Sequence, residues 1–189
     1  MYEVRLHGRG GQLLQQASQV LASALMAEGK QVQLAPQPGS NRVGTPAAMF
    51  LKVDDRKIAG GCRVLEPDCV VVFDDKLPRF VGVYDGLKRG GLVIINTKNV
   101  NEALNIGGEA IRVACVDANR IASEVYGPAV FPKVGPAMLG AFVRGSELVR
   151  LDSIAKALES HFPEEKKEHI KAVERAYEET HVKALGGCK

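Results

Sequence analysis

The sequence predicts an α/β fold, an open and mostly parallel sheet with helices on both faces and a small β-hairpin addition. The first observation is a strand pattern at residues 4–7, followed by a glycine turn and a helical pattern that reaches residue 29. The second is a set of apolar runs rich in β-branched residues, at residues 69–73, 92–95 and 111–116. Because such runs are typical of central strands covered on both faces, this order of elements favours a parallel sheet between helices.

The glycine turn comprises Gly8, Arg9, Gly10, Gly11 and Gln12. It precedes a helix whose apolar residues share one face, namely Leu13, Leu14, Ala17, Val20, Leu21, Ala24 and Leu25. Unpaired N–H groups at a helix N-terminus can hold a phosphate or a carboxylate. The alternative is that the glycines only allow the first helix to pack on the sheet.

The glycine turn matches the dinucleotide-binding fingerprint poorly. Gly8 and Gly10 have the spacing of its first two glycines, but Leu13 stands at the position of the third. No acidic residue follows the second strand, predicted at residues 32–35, to bind a ribose. The pattern therefore argues against a nicotinamide cofactor.

A proline-rich loop, residues 36–46, follows the second strand. Its three prolines and two glycines exclude a helix or a ladder strand. It is either a plain surface loop or a functional or interface loop. Because this loop and the glycine turn both follow strands that end at the carboxyl edge of the sheet, we expect them to face each other. The N–H groups of the turn, with Arg9 or with the Asn41-Arg42 pair of the loop, would then hold an anion.

Three further features concern the later elements. A third strand is predicted at residues 47–53, with a turn after it and residues 56–59 returning as a hairpin. Polar residues end the central strands where open α/β sheets build their sites, namely Asp74, Asn96 and Asp117. Asp117 also suits the N-cap of the helix that follows it.

The C-terminal third is predicted to be helical. An apolar helix at residues 137–142 and the proline-rich loop are candidate partner surfaces, so we expect the isolated chain to be unstable or to self-associate. A charged final helix begins after Pro163, and Leu185 is the last residue of its sparse apolar stripe. The predicted division is a domain of residues 1–160 and a helical extension of residues 161–189 that packs on the domain or on a partner subunit.

Composition excludes several function classes. A net charge of +3 with no Trp argues against nucleic acid, and the lack of a spanning apolar run argues against a membrane, so a cytoplasmic location is expected. The four cysteines form no C-x-x-C pair and the histidines are scattered, so no metal or iron–sulfur site is expected on this chain. Cys69 and Cys115 lie in strand patterns and are expected in the core. No nucleophile–base pair is evident, so no catalytic residue is assigned.

Four motifs occur in one order along the chain: His7-Gly8-Arg9-Gly10-Gly11-Gln12, Arg42-x-Gly44-x-Pro46, Gly86-Leu87-Lys88-x-Gly90-Gly91 before Asn96-Thr97, and Met138-Leu139-Gly140-Ala141. Together they resemble the gamma subunit of the 2-oxoacid:acceptor oxidoreductases, the family of the pyruvate, 2-ketoisovalerate and oxoglutarate ferredoxin oxidoreductases. Two positions depart from the family's pattern. Leu13 stands where glycine is usual, and Gly39-Ser40-Asn41 precedes Arg42 where an acidic residue or a second arginine is common.

The resemblance implies a Rossmann-like gamma domain that carries no redox cofactor and packs on the alpha subunit. The implied reaction is oxidative decarboxylation of a 2-oxoacid with coenzyme A, which gives an acyl-CoA, CO2 and a reduced acceptor such as ferredoxin. The implied cofactors lie on partners: thiamine diphosphate and Mg2+ between the alpha and beta subunits, and 4Fe–4S clusters in the beta and delta subunits. On this chain the glycine turn and Asn41-Arg42 are the candidate contacts to a CoA phosphate at an interface.

A second hypothesis comes from a different class of protein. The chain would then be a stand-alone nucleotide- or CoA-binding Rossmann-like protein with its own activity. The lack of assignable catalytic residues favours a non-catalytic subunit.

Overall fold

The computed structural model describes residues 1–38, 43–103, 106 and 111–183. The strands of the described chain are β1 (Tyr2–Arg9), β2 (Gln31–Pro36), β3 (Pro46–Asp54), β4 (Cys69–Val72), β5 (Leu92–Asn96), β6 (Arg112–Val116) and β7 (His181–Lys183). Its helices are α1 (Leu14–Ala27), α2 (Val100–Ala103), α3 (Ala118–Tyr126), α4 (Gly135–Ser146), α5 (Leu151–His161) and α6 (Lys166–Glu179).

The strands form one open sheet in the order β2-β3-β1-β4-β5-β6-β7. The central strands β1, β4, β5 and β6 pair in parallel, whereas β3 is antiparallel to both of its neighbours and β7 is antiparallel to β6. Five of the strands therefore run in one direction. This arrangement confirms the predicted open, mostly parallel α/β sheet.

The antiparallel hairpin is formed by β2 and β3, which the proline-rich loop connects. Leu51 of β3 pairs with Leu34 on one side and with Val4 of β1 on the other. The predicted return strand at residues 56–59 is wrong, because these residues form no strand. Since β3 already has a hydrogen-bonded neighbour along each edge, it offers no edge to a returning segment.

The two faces of the sheet bury different groups. On β1, Val4 and Leu6 belong to the main core, which the sheet shares with α1, α3, α4, α5 and α6. Arg5 and His7 alternate with them and therefore lie on the opposite face. Among the described residues, that second face carries the single-turn helix α2 and a 3-10 turn (Leu77–Arg79), which cover a smaller core on β4, β5 and β6.

Helix α4 lies between the sheet and α6, so its apolar residues are not a partner surface. Residues 137–142 are all buried, which makes the predicted exposure of this segment wrong. Two glycines permit the close packing. A methyl group at Gly140 would lie 2.1 Å from the carbonyl oxygen of Val173 in α6, and one at Gly145 would lie 2.7 Å from Cβ of Ala114 in β6. An apolar helix satisfies a core as well as it satisfies an interface, and here α6 completes the core.

Residues 161–183 pack on the rest of the domain. α6 packs against α4, and β7 adds an antiparallel edge strand in which His181 pairs with Cys115. The division at residue 160 stays a prediction, and Leu185 lies outside the described residues. Within the described ranges, no helix has the length and apolar character needed to cross a lipid bilayer.

Candidate functional site

The glycine turn and the proline-rich loop meet at the carboxyl end of β1. Gly10 forms a bridge with Val43. Its N–H donates to the carbonyl of Thr45 at 3.2 Å, and its carbonyl accepts the N–H of Gly44 at 3.0 Å. Residues 43–45 of the loop therefore lie directly against the turn. Asn41 and Arg42, the predicted contacts in the loop, lie outside the described residues.

Most polar groups of the turn are satisfied within the chain. The Gln12 N–H donates to the carbonyl of Arg9 at 3.2 Å, and the Gln12 side chain accepts the Arg9 N–H at 2.8 Å. The Gln12 carbonyl accepts the N–H of Gly135 at 3.0 Å. Because the N–H of Gly10 is also used, the Gly11 N–H is the one donor of the predicted cradle without a hydrogen bond to the described chain. Gly8 is closely packed as well, since a methyl group there would lie 3.3 Å from Cβ of Phe73.

Leu13 has a left-handed backbone conformation, with φ 59° and ψ 29°, and α1 begins at the next residue. This conformation costs an L-residue roughly 1–2 kcal/mol, whereas glycine adopts it freely. The side chain packs beside α4, because a methyl group at Gly135 would lie 3.0 Å from Cβ of Leu13. Leu13, where the family usually has glycine, thus has a backbone conformation that glycine adopts more easily than leucine does.

Arg9 is held by the domain itself. Its Nε lies 2.5 Å from Oδ2 of Asp74, at the end of β4, and its Nη1 donates to the carbonyl of Gly44 at 3.2 Å. The guanidinium carbon also lies 5.8 Å from the ring centroid of Phe80. An incoming anion at Arg9 would have to share the guanidinium with Asp74. The sequence indicated Asp74 as a strand-end residue but gave no signal for its pairing or for Phe80.

The other two strand-end residues have structural contacts. Asn96 is buried and connects the end of β4 to the start of α3, because it donates to the carbonyl of Phe73 at 2.8 Å and accepts the N–H of Ala118 at 2.9 Å. Asp117 is the N-cap of α3 and accepts the N–H of Arg120 at 2.9 Å. The capping role expected for Asp117 is confirmed.

We call four apolar side chains the apolar rim: Val43, Phe80 and Phe131, which lie against the glycine turn or Arg9, and Val130, which precedes Phe131 in the chain. Val130 is 89% exposed, and Val43 and Phe80 are each 70% exposed. Phe131 packs over the glycines, because a methyl group at Gly11 would lie 3.2 Å from its Cβ and one at Gly44 would lie 3.2 Å from its Cζ. Exposed apolar clusters of this kind mark interaction surfaces. No sequence pattern indicated the rim, because its members lie in three separate segments of the chain.

The thiols and carboxylates of the described chain do not form a metal site. No group of three or more potential metal ligands converges within the described ranges. Cys69 and Cys115 are fully buried in the strands, as expected. Burial raises the pKa of Cys115 to about 11 and raises the pKa of Cys69 still further, so both thiols are protonated at neutral pH.

The chain is similar to proteins of one family along nearly its whole length. Residues 3–179 match the family model described as pyruvate ferredoxin/flavodoxin oxidoreductase. The chain is 38% identical over 188 residues to the common gamma subunit of the pyruvate/ketoisovalerate oxidoreductases of Thermococcus litoralis, covering 98% of this chain and 100% of the relative. It is 41% identical over 180 residues to the pyruvate synthase subunit PorC of Methanocaldococcus jannaschii, covering 95% and 97%.

A solved structure shares both sequence and architecture with this chain. The crystal structure of pyruvate oxidoreductase subunit PORC from Thermotoga maritima has a TM-score of 0.79 and 34% sequence identity, over 96% of this chain and 97% of that one. The resemblance carried by the four sequence motifs is therefore confirmed. The chain belongs to the pyruvate ferredoxin/flavodoxin oxidoreductase family, as one of its gamma subunits.

Proposed function

We propose that the chain is a non-catalytic subunit of a multi-subunit enzyme that oxidatively decarboxylates a 2-oxoacid with CoA, giving an acyl-CoA, CO2 and a reduced acceptor. The observation that carries this proposal is the near full-length similarity to gamma subunits of pyruvate and ketoisovalerate oxidoreductases. Its partners in this proposal are the alpha, beta and delta subunits, with ferredoxin or another acceptor engaged by the complex. The apolar rim supports assembly, because it offers exposed apolar side chains beside an ion-paired arginine.

In this proposal the redox cofactors lie on the partner subunits. The described residues offer no converging set of ligands for Mg2+ or a 4Fe–4S cluster, and their two fully buried thiols are protonated. They therefore do not fit a cluster or a metal-bound thiamine diphosphate. The chain would contribute a rigid edge of sheet that positions the glycine turn and the proline-rich loop against a partner.

The finer proposal is that this edge contacts a phosphate of CoA. The donors available are the Gly11 N–H, the guanidinium of Arg9 that it shares with Asp74, and the side chains of Asn41 and Arg42. A charge-assisted hydrogen bond contributes roughly 1.5–3 kcal/mol. The competing arrangement has the arginines paired to carboxylates of a partner subunit.

Kinetics of the assembled complex test the CoA contact. Arg42→Ala should raise the apparent KM for CoA about tenfold or more, since about 1.4 kcal/mol corresponds to a factor of ten. Arg56→Ala is the matched control, because Arg56 is an exposed arginine beyond the opposite end of β3. An unchanged KM for CoA together with weaker assembly would support pairing to a partner instead.

Native mass spectrometry tests the subunit role itself. A tagged chain purified from its host should carry larger partner subunits, and the complex should oxidise a 2-oxoacid in a screen that supplies CoA and an electron acceptor. A chain that purifies alone and performs its own nucleotide- or CoA-dependent reaction would contradict the proposal.

A further inference from the structure

A cavity of about 830 Å3 opens on the face of the sheet opposite α1. Its base includes Arg5 and His7 of β1, and its walls come from β2, β3 and the segments around residues 62–65 and 77–85. Polar and apolar groups share the lining almost evenly, and its apolar part includes Phe50, Val64, Leu65, Leu77 and Val81. Cavities of this size that combine apolar walls with a few polar groups are typical of small-molecule sites.

Arg5 is a buried cation that forms no close ion pair with a described carboxylate. It is 8% exposed, and its Nε donates to Nε2 of His7 at 3.0 Å. Its Nη2 donates to the carbonyls of Val83 and Asp85, at 2.9 Å and 2.5 Å. Nη1 has no acceptor in the described chain, and no described carboxylate lies within 4.0 Å of the guanidinium. Asp85 is the described carboxylate whose charge acts on Arg5, but it makes no ion pair with the guanidinium within 4.0 Å. Since buried charges in proteins are normally paired closely, Nη1 is available to an anionic ligand.

His7 adds a neutral donor to the same cavity. Burial and the charge of Arg5 lower the pKa of His7 to about 4, so the ring is neutral at pH 7. Because Nε2 accepts the Nε–H of Arg5, the single ring proton lies on Nδ1. Nδ1 also has no acceptor in the described chain. Arg5 and His7, which both line the cavity, therefore each have an N–H group without an acceptor in the described chain.

The charges around the cavity favour a singly charged ligand. Its charged lining residues are Arg5, Arg63 and Asp85, which leave one net positive charge. A carboxylate with two oxygens matches this charge and the few donors better than a phosphate dianion with three. The apolar part of the lining, around Phe50, Leu65 and Val81, suits a hydrocarbon body attached to that carboxylate.

We propose that this cavity binds a small organic monocarboxylate, whose carboxylate pairs with Arg5 and whose hydrocarbon body lies against Phe50, Leu65 and Val81. This site is separate from the glycine turn, and it does not depend on the proposed role in CoA chemistry.

Binding of octanoate to the full-length chain, purified with whatever subunits accompany it, tests the proposal. Isothermal titration should show saturable binding of octanoate, at least tenfold tighter than that of octan-1-ol, inorganic phosphate or AMP. Octanoate should also slow alkylation of Cys62 by iodoacetamide, because this half-buried thiol lines the cavity. Equal binding of octan-1-ol, or tighter binding of phosphate or AMP, would overturn the proposal.

Variants locate the ligand. Arg5→Met should weaken octanoate binding at least tenfold. Since a change at buried Arg5 can impair folding, Leu65→Glu provides an independent test: Leu65 is 64% exposed, and a carboxylate there should repel the ligand and weaken binding severalfold. Met26→Glu is the matched control, because Met26 is exposed on α1, on the other side of the sheet. Leu65→Glu and Met26→Glu binding octanoate equally well would contradict the proposed site.

Discussion

Asn96 ends β5 and joins backbone groups of two other elements through its side-chain amide. Its Nδ2 donates to the carbonyl of Phe73, and its Oδ1 accepts the N–H groups of Ala118 and Asn119, at 2.9 Å and 3.3 Å. The residue is 1% exposed, so water cannot replace these contacts. An amide is required here because the site needs a donor on one side and an acceptor on the other.

Asn96→Ala should therefore lower the free energy of unfolding by roughly 2–4 kcal/mol, since it leaves a buried carbonyl and a buried N–H without partners. Urea denaturation measures this loss. Asn119→Ala is the matched control on the exposed side of α3, and it should change stability by less than about 0.5 kcal/mol. Equal losses in the two variants would show that the buried amide has no special role.

His7 should make the domain less stable as the pH falls from about 6.5 to 4. Its folded-state pKa of about 4 lies below the ordinary value of 6.5, so the unfolded chain binds the proton more readily over this interval. Burial lowers the pKa of His169 in the same direction. Each such histidine reduces the free energy of unfolding by up to about 1.4 kcal/mol per pH unit within its interval, and it has little effect above pH 7.

Urea denaturation at several pH values between 4.5 and 7 measures that slope. His7→Gln should flatten it, because the buried titrating group is removed. His161→Gln, at an exposed histidine, is the matched control substitution. An identical pH dependence in wild type and His7→Gln would contradict this assignment.

Sequence reasoning succeeded at residues whose local chemistry allows few alternatives. Asp117 capped the expected helix, and Cys69 and Cys115 lay in the core. It missed the engagement of Arg9 with Asp74 and Phe80, because these residues lie on three segments that only the folded sheet brings together. Arg42, the other predicted cation, lies outside the described residues, so its role stays a prediction.

At the level of elements, β-branched runs predicted β4, β5 and β6 correctly, because buried parallel strands have a distinctive composition. The same reasoning placed a return strand at residues 56–59, where hairpin chemistry suits the sequence but both edges of β3 are occupied. Residues 137–142 were likewise predicted to be an exposed partner surface, but α6 covers them. An apolar pattern indicates that a helix face is buried, but it does not indicate whether the same chain or a partner buries that face.

Gly140→Ala tests the packing of α4 against α6. The added methyl group would collide with the backbone carbonyl of Val173, so the helices would have to separate and the free energy of unfolding should fall by roughly 1–3 kcal/mol. Thermal and urea denaturation both report the change. Gly61→Ala is the control, because a methyl group there meets nothing within 4 Å. If Gly140→Ala were as stable as Gly61→Ala, α4 and α6 would not pack as described.

At the level of the whole molecule, the sheet separates two kinds of surface. The carboxyl edge carries the glycine turn, the ion pair of Arg9 and the apolar rim, whereas the face opposite α1 carries the cavity above Arg5. The family was predictable from motifs spread along the chain, since each is weak alone and their order is specific. The apolar rim was not predictable, because its side chains come from separate segments that only the fold brings to one edge.

The apolar rim should be required for assembly with the partner subunits. Val43→Glu and Val130→Glu each place a carboxylate on an exposed rim position, so each should weaken capture of the partners by a tagged chain at least tenfold. Neither residue belongs to the core, and the melting temperature of the chain should change little. Met26→Glu introduces the same charge on α1 and should leave partner capture intact. Partner capture that survives both rim substitutions would place the interface on another surface of the gamma subunit.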